Sequence, residues 1–179
     1  MRNRQEALQT AIEPVTGLLG PLSLQLLTVS PIAEIGRLAV LVNFFTGPLY
    51  KELDERIGIS RIGFVVLHCL FCSPPTGLLA QDIARATGYP KNSISRAISE
   101  LSAAGYLERH ATSDDKRAKT LFLTQKGAAL LKDILPVVGR RQEKMFSALT
   151  PEERTALDML TSRMIAKLPE WVGADDLWD

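Results

Sequence analysis

Between Gln81 and Ile98, a small residue, a glycine and an aliphatic residue fall at the spacing that two helices crossing at a sharp turn require. Ala84 lets a second helix cross close by, Gly88 tolerates the positive φ of the turn, and Ile94 fills the angle between the helices. The spacing therefore predicts a short helix, a tight turn and a second, amphipathic helix. In that second helix Ile94, Ala97, Ile98 and Leu101 recur at the helical interval and face a core, while Asn92, Ser95, Arg96 and Ser99 fall on the opposite side. Pro90 is expected in the first turn, where its missing N–H costs nothing, so that free amides lie near Lys91, Asn92 and Ser93. Such an end suits a phosphate or a base edge, although an ordinary solvated helix face would carry the same residue types.

The residues that follow favour the nucleic-acid reading. Tyr106–Arg109 and Thr120–Thr124 are short and rich in strand formers, and the polar segment Thr112–Lys119 separates them, which predicts a hairpin with a charged tip. From Arg85 to Lys126 there are eight Lys or Arg against four acids, a net +4, whereas the whole chain carries +1. Basic charge gathered on one module is the footprint of a phosphate-binding surface. The rest of the chain is not generally polybasic, so a nucleic-acid role rests on this local patterning.

The run Ser93-Ile94-Ser95-Arg96, then Leu101, Gly105-Tyr106-Leu107-Glu108-Arg109, Asp115-Lys116-Arg117 and Leu123-Thr124-Gln125-Lys126-Gly127, resembles the MarR family of winged helix-turn-helix transcriptional regulators. Leu149-Thr150-Pro151-Glu152-Glu153 looks like the start of that family's last helix, so the resemblance covers roughly residues 33–168. Its most specific part is the Asp-Lys-Arg wing followed by Leu-Thr-x-Lys-Gly. The resemblance implies a mainly α fold with a small β-hairpin wing, and an obligate homodimer formed through N- and C-terminal helices. It implies binding to a pseudo-palindromic duplex operator, most simply as a repressor. A small aromatic or other organic effector, or thiol chemistry as in some members, would control release. Ala118 stands where many relatives carry glycine, a departure that stiffens the tip.

On that basis the chain divides into an N-terminal extension (1–32), a dimerisation helix (33–58), the winged helix-turn-helix (59–124), C-terminal dimerisation helices (125–168) and a tail (169–179). Lys91, Arg96, Lys116, Arg117 and Lys119 are expected to supply phosphate or minor-groove contacts, and Asn92, Ser93 and Ser95 to reach base edges, with Ser99 on the same face. Asp115 would orient Arg117, or a nearby arginine such as Arg96, while Arg117 enters a narrow groove of high negative potential. The plain alternative for Asp115 and Arg117 is a solvated tip whose charges pair with each other.

With 46% hydrophobic and 23% charged residues, the chain has the composition of a soluble globular protein with an adequate core. No secretory leader is recognisable, and a cytoplasmic protein is expected. Pro14 to Ala33 holds no charged residue, but Gly17, Gly20, Pro21 and Pro31 interrupt it, so a segment packing on protein, across a dimer, is expected rather than a membrane span. Ile35, Leu38, Val42, Phe45, Leu49, Leu53 and Ile57 then mark one face of a long helix, with a kink or break expected at Gly47-Pro48. Ser60 would cap the next helix, whose apolar content predicts near-complete burial up to Ser73-Pro74-Pro75-Thr76-Gly77. Thr124 would cap a helix bent at Pro136, and Thr150 a final helix whose face carries Leu157, Leu160, Met164, Ile165 and Leu168. The acidic tail carries both tryptophans.

Reactive chemistry is suggested only by Cys69 and Cys72. A redox pair with this spacing sits at a helix start, whereas these fall at a predicted helix end, where the dipole disfavours thiolate, so buried structural cysteines are the favoured reading. A redox-sensing regulator is the sharper alternative, and a protein-interaction module on the same fold is another. His68 is expected partly buried and His110 at an exposed strand end, with no spacing of a closed zinc site. No phosphate-cradling loop or nucleophile elbow appears, so neither an enzyme nor a cofactor is expected.

Overall fold

The computed structural model describes residues 2–111 and 119–171. The wing tip and the last residues of the tail, including Trp178, therefore lie outside the described residues. Contacts divide the chain into two compact units, Met1–Lys132 and Asp133–Asp179.

The first unit is built around the predicted helix-turn-helix. Helices α5 (Arg61–Phe71), α6 (Ala80–Thr87) and α7 (Lys91–Ala103) pack with a three-stranded antiparallel sheet of β1 (Leu78–Leu79), β2 (Leu107–Ala111) and β3 (Lys119–Leu123), in the order β1-β3-β2. Gly88 closes α6 with φ 70° and donates its N–H to the Ala84 carbonyl at 3.0 Å. Ile94, Ala97, Ile98 and Leu101 are all buried, joined by Val66 and Leu67 of α5, Ile83 of α6, and Leu107 and Leu121 of the sheet. Each large aliphatic among these contributes roughly 1.5–3 kcal/mol by leaving water. Ser60 caps α5 by accepting the Gly63 N–H at 3.1 Å.

Several expectations are corrected in detail. Pro90 is not inside the first turn of α7 but is its N-cap, extended at ψ 138°, with its carbonyl accepting the Ile94 N–H. The sheet has a third strand, β1, which two residues are too short to announce by alternation. It exists because Gly77, at φ 75°, lets the chain pass against β3, where a Cβ would lie 2.6 Å from Thr120 Cγ2 and 2.7 Å from the Leu121 carbonyl. On α5, Arg61, His68 and Phe71 are exposed, so burial is one-sided rather than near-complete.

Ahead of this module, α1 (Arg2–Ile12), a 3-10 turn (Glu13–Val15), α2 (Thr16–Leu19) and α3 (Leu22–Leu24) run into a π turn (Gln25–Val29). The predicted interruptions are present at Gly20-Pro21, with Gly20 at φ 79°, and at Pro31, whereas Gly17 lies inside α2. No helix among the described residues is long and apolar enough to cross a membrane. The extension packs on the start of α4 (Ala33–Ile57), where Leu27 and Ala33 are buried and Arg37 Nη1 donates to the Leu27 carbonyl at 2.6 Å. Of the kink or break expected at Gly47-Pro48, the break does not occur, and α4 runs on through Pro48. An interior proline removes one ladder bond at a cost of about 3 kcal/mol. Helix on both sides and the buried Leu49 and Leu53 just beyond offset that loss. Tyr50 and Phe64 then meet at 5.9 Å between α4 and α5.

Helix α8 (Gln125–Phe146) starts in the first unit and continues without interruption through Pro136. Its start is tied to the end of α7. Thr124 donates Oγ1–H to the Gly105 carbonyl at 2.8 Å and its N–H to the Tyr106 carbonyl at 3.1 Å, while Oγ1 accepts the Gly127 N–H at 3.0 Å. Lys126 Nζ donates to the Ala104 carbonyl at 2.7 Å and lies 4.5 Å from the Tyr106 ring centre. In the second unit, α9 (Pro151–Ala166) opens with the expected Thr150 cap, which Glu153 completes as a reciprocal capping box. Arg154 bonds Glu143 at 2.9 Å, and α10 (Leu168–Trp171) follows.

Two glycines of α8 should respond oppositely to alanine. At Gly127 a Cβ would overlap the Tyr106 carbonyl oxygen, which is backbone and cannot swing away. Gly127→Ala should therefore lower stability by about 1–3 kcal/mol. At Gly139 nothing lies within 4 Å of a built Cβ, and Gly139→Ala should raise stability by roughly 0.5–1 kcal/mol. Urea unfolding midpoints of the two variants check both signs.

Candidate nucleic-acid interface

Because four apolar side chains pin one face of α7, its opposite face is fixed in direction. Lys91, Asn92, Ser95, Arg96 and Ser99 are exposed there, and Ser93 is half-buried. No side chain caps the first turn, so the positive end of the helix dipole is open next to Lys91. Lys119 is exposed at the first position of β3, opposite Ala111 in register. Asp115, Lys116 and Arg117 belong to the residues that are not described.

The cations of this surface are not equivalent. Arg96 Nε bonds Glu100 Oε1 at 2.9 Å, a pairing within α7, and Arg85 approaches Asp82 at 3.9 Å. Both pairs are largely exposed, so solvent screens them and a phosphate can compete. Lys126, which adds to the positive count of the segment, is committed to the carboxyl-terminal end of α7 and the Tyr106 ring. Among the described cations of the segment, Lys91, Arg109 and Lys119 have no carboxylate partner among the described residues.

Sequence alone counts Arg109 as charge and does not place it in the site. The structure sets Arg109 Nη2 3.0 Å from Ser99 Oγ, and Ser99 in turn donates to the Ser95 carbonyl at 3.0 Å. Strand alternation is the available signal: Leu107 is buried, so Arg109, two residues on, leaves the same face of β2 toward α7. Glu108 and His110 point the other way and pair at 3.1 Å, while His110 meets the Phe122 ring at 4.9 Å. His110 is exposed, as expected.

The cysteines depart from the favoured reading. Cys69 is half-buried, but Cys72, the C-cap of α5, is exposed, because it falls one turn after His68 on the outward face of the helix. His68 is exposed rather than partly buried, and its Nε2 lies 3.6 Å from Cys72 Sγ, one helical turn on. Burial, then the neighbouring Cys72, pushes the Cys69 thiol up, which makes it a poor nucleophile at neutral pH. No group of three or more His, Cys, Asp or Glu among the described residues could hold a metal ion.

The family model described as "MarR family" matches residues 51–118. The transcriptional repressor MprA of Escherichia coli strain K12 is 26% identical over 113 residues, covering 63% of this chain. The match spans 64% of that relative's length. Among solved structures, a MarR/EmrR family transcriptional regulator from Acinetobacter sp. ADP1 aligns at TM-score 0.67 and 20% identity, over 76% of this chain and 95% of the other. MepR of S. aureus, solved as a complex with DNA, aligns at TM-score 0.66 and 21% identity, over 78% and 99%. A MarR family regulator from Streptomyces coelicolor, also solved with DNA, gives 0.67 and 23%, over 79% and 89%. At these identities the structures speak to the fold, a winged helix-turn-helix.

Alkylation separates the two thiols. Cys72 should be labelled first by iodoacetamide in the native protein, and the labelling of Cys69 should rise only at a pH above that of an ordinary thiol. Cys72→Ser should move the Cys69 profile to lower pH, since it removes the charge and leaves only the burial. An unmoved profile would mean that the two sulfurs do not interact.

Proposed function

We propose that this chain, whose residues 51–118 match the MarR family model, is a homodimeric regulator of transcription that binds double-stranded DNA at a pseudo-palindromic site and acts as a repressor. The observation that carries the reading is the outer face of α7. It is a rigidly backed helix with an uncapped positive end and exposed Lys91, Asn92, Ser95 and Arg96, and it bears no large apolar side chain. A major groove admits such a helix. Lys91 and the first-turn amides meet a phosphate, while Asn92, Ser93 and Ser95 lie nearest the base edges. Lys116, Arg117 and Lys119 of the wing then follow the backbone toward the adjacent minor groove, with Asp115 orienting Arg117.

Dimerisation is supported by apolar surface that a lone chain leaves in water. In α4, Ile35, Leu38, Leu41, Val42 and Phe44 are exposed, and so are Met159, Leu160, Met164 and Ile165 of α9. Monomeric proteins rarely expose large apolar patches, so each of these helix faces suits packing against a second copy. The predicted apolar face of α4 is buried in its carboxyl-terminal half, at Leu49 and Leu53, and exposed in its amino-terminal half at Ile35, Leu38 and Val42, where a second copy would pack. Pairing through these helices would set two copies of α7 about 34–36 Å apart, one turn of duplex. The family resemblance adds modulation by a small organic effector. The exposed Cys72 beside His68 supports a second reading, in which thiol modification supplies that control.

A gel shift with random-sequence duplex at low salt should show weak binding that fades steeply as salt rises. Lys91→Gln should weaken binding to every sequence, whereas Asn92→Ala should cost affinity for the operator by roughly 1–3 kcal/mol and relax preference at one base pair. Absence of any shift at low salt would favour a protein-interaction module on this fold.

A further inference from the structure

We infer that Arg109 is a further DNA-contacting side chain, holding a backbone phosphate at the seam where the recognition helix meets the wing, with Ser99 as the strut that aims it. The inference rests on the DNA-binding reading above.

Three observations converge on it. Arg109 leaves β2 on the side of the buried Leu107, at the point where the core ends and the outer face of α7 begins, so its guanidinium arrives beside Ser99 on the exposed surface. No carboxylate among the described residues pairs with it, while Arg96 is paired with Glu100 and Lys126 is committed to the Ala104 carbonyl. Finally, only one N–H group of the fork has a side-chain partner among the described residues, the Ser99 hydroxyl, which leaves donors in the fixed planar arrangement that suits a phosphate oxygen pair.

Ser99 changes role as a result. Its hydroxyl proton goes to the Ser95 carbonyl and its oxygen accepts from Arg109, so its donor and one acceptor position are used within the protein. Helical spacing alone puts Ser99 among the DNA-contacting residues on the face of α7; the hydrogen bonds make it a positioning residue for Arg109. A neutral hydroxyl tethers the arginine without neutralising it, which a carboxylate there would do.

The test compares Arg109→Gln, Arg109→Lys, Ser99→Ala and Lys91→Gln in the full chain, titrated into a fluorescent random-sequence duplex across a range of salt concentrations, with thermal melts confirming folding. Removing one phosphate contact should lower the slope of log affinity against log salt by about 0.9, hence by about 1.8 for a dimer. Arg109→Gln should show that reduction and weaken binding to all sequences alike. Arg109→Lys should keep the slope with reduced affinity, and Ser99→Ala should keep it too, since the charge remains. A purely structural Arg109 would leave the slope of Arg109→Gln at the wild-type value. If Lys91→Gln lowers the slope while Arg109→Gln does not, this inference fails and the DNA-binding reading stands. If the wild-type protein shows no salt-dependent binding, both fail together.

Discussion

The arrangement of the outward-facing basic surface depends on one hydrogen-bonded clamp, in which Thr124, Lys126 and Gly127 grip the chain between the end of α7 and the start of β2. Gly105 reverses direction at φ 76°, and the carbonyls of Ala104, Gly105 and Tyr106 that the reversal exposes each find a partner on the far side of the hairpin. Thr124 serves twice, donating to Gly105 and accepting from Gly127, and so caps α8 with the same oxygen that fastens it to the turn. Lys126 meets the negative end of the α7 dipole, where a cation is stabilising. Without a side chain at residue 127, the helix can lie directly on the Tyr106 carbonyl. The clamp closes the hairpin at its base and fixes β2 against α7, which brings Arg109 to Ser99.

The sequence was most informative where one periodicity ran long enough to exclude alternatives. The burial of Ile94, Ala97, Ile98 and Leu101 and the turn at Gly88 follow from spacing, and the caps at Ser60, Thr124 and Thr150 follow from hydroxyl chemistry at helix starts. The Leu-Thr-x-Lys-Gly run was recognisable as a resemblance, yet its physical meaning was not, because its partners lie some twenty residues earlier and are backbone carbonyls that carry no residue signature. The same holds for β1, a two-residue strand specified by what Gly77 permits rather than by its own side chains. Local rules also overstate a single proline: Pro48 weakens a helix that packing and length nonetheless carry through.

Of the candidate site, the helix face was legible and the network was not. Residue types along α7 named Lys91, Asn92, Ser95 and Arg96, but the partner of Arg96 on its own helix and the contact of Arg109 with Ser99 are facts of three-dimensional placement. Net charge was a blunt guide. It scored Lys126 with the rest, whereas that exposed lysine is committed to the Ala104 carbonyl, and Lys91, Arg109 and Lys119 are the described cations without a described carboxylate beside them. The cysteines show the converse error, since a helix end that disfavours thiolate suggested burial for both, while position 72 falls one turn after the exposed His68 and shares its outward face.

The two faces of α7 have almost nothing to do with each other energetically. Its apolar side chains hold it to the domain, and the side chains turned outward make few bonds that the fold depends on. A lineage can therefore exchange Asn92, Ser93 or Ser95 freely, trying new specificities while the scaffold keeps its stability. The outward strip of this helix is, in that sense, a rewritable label on a permanent mount.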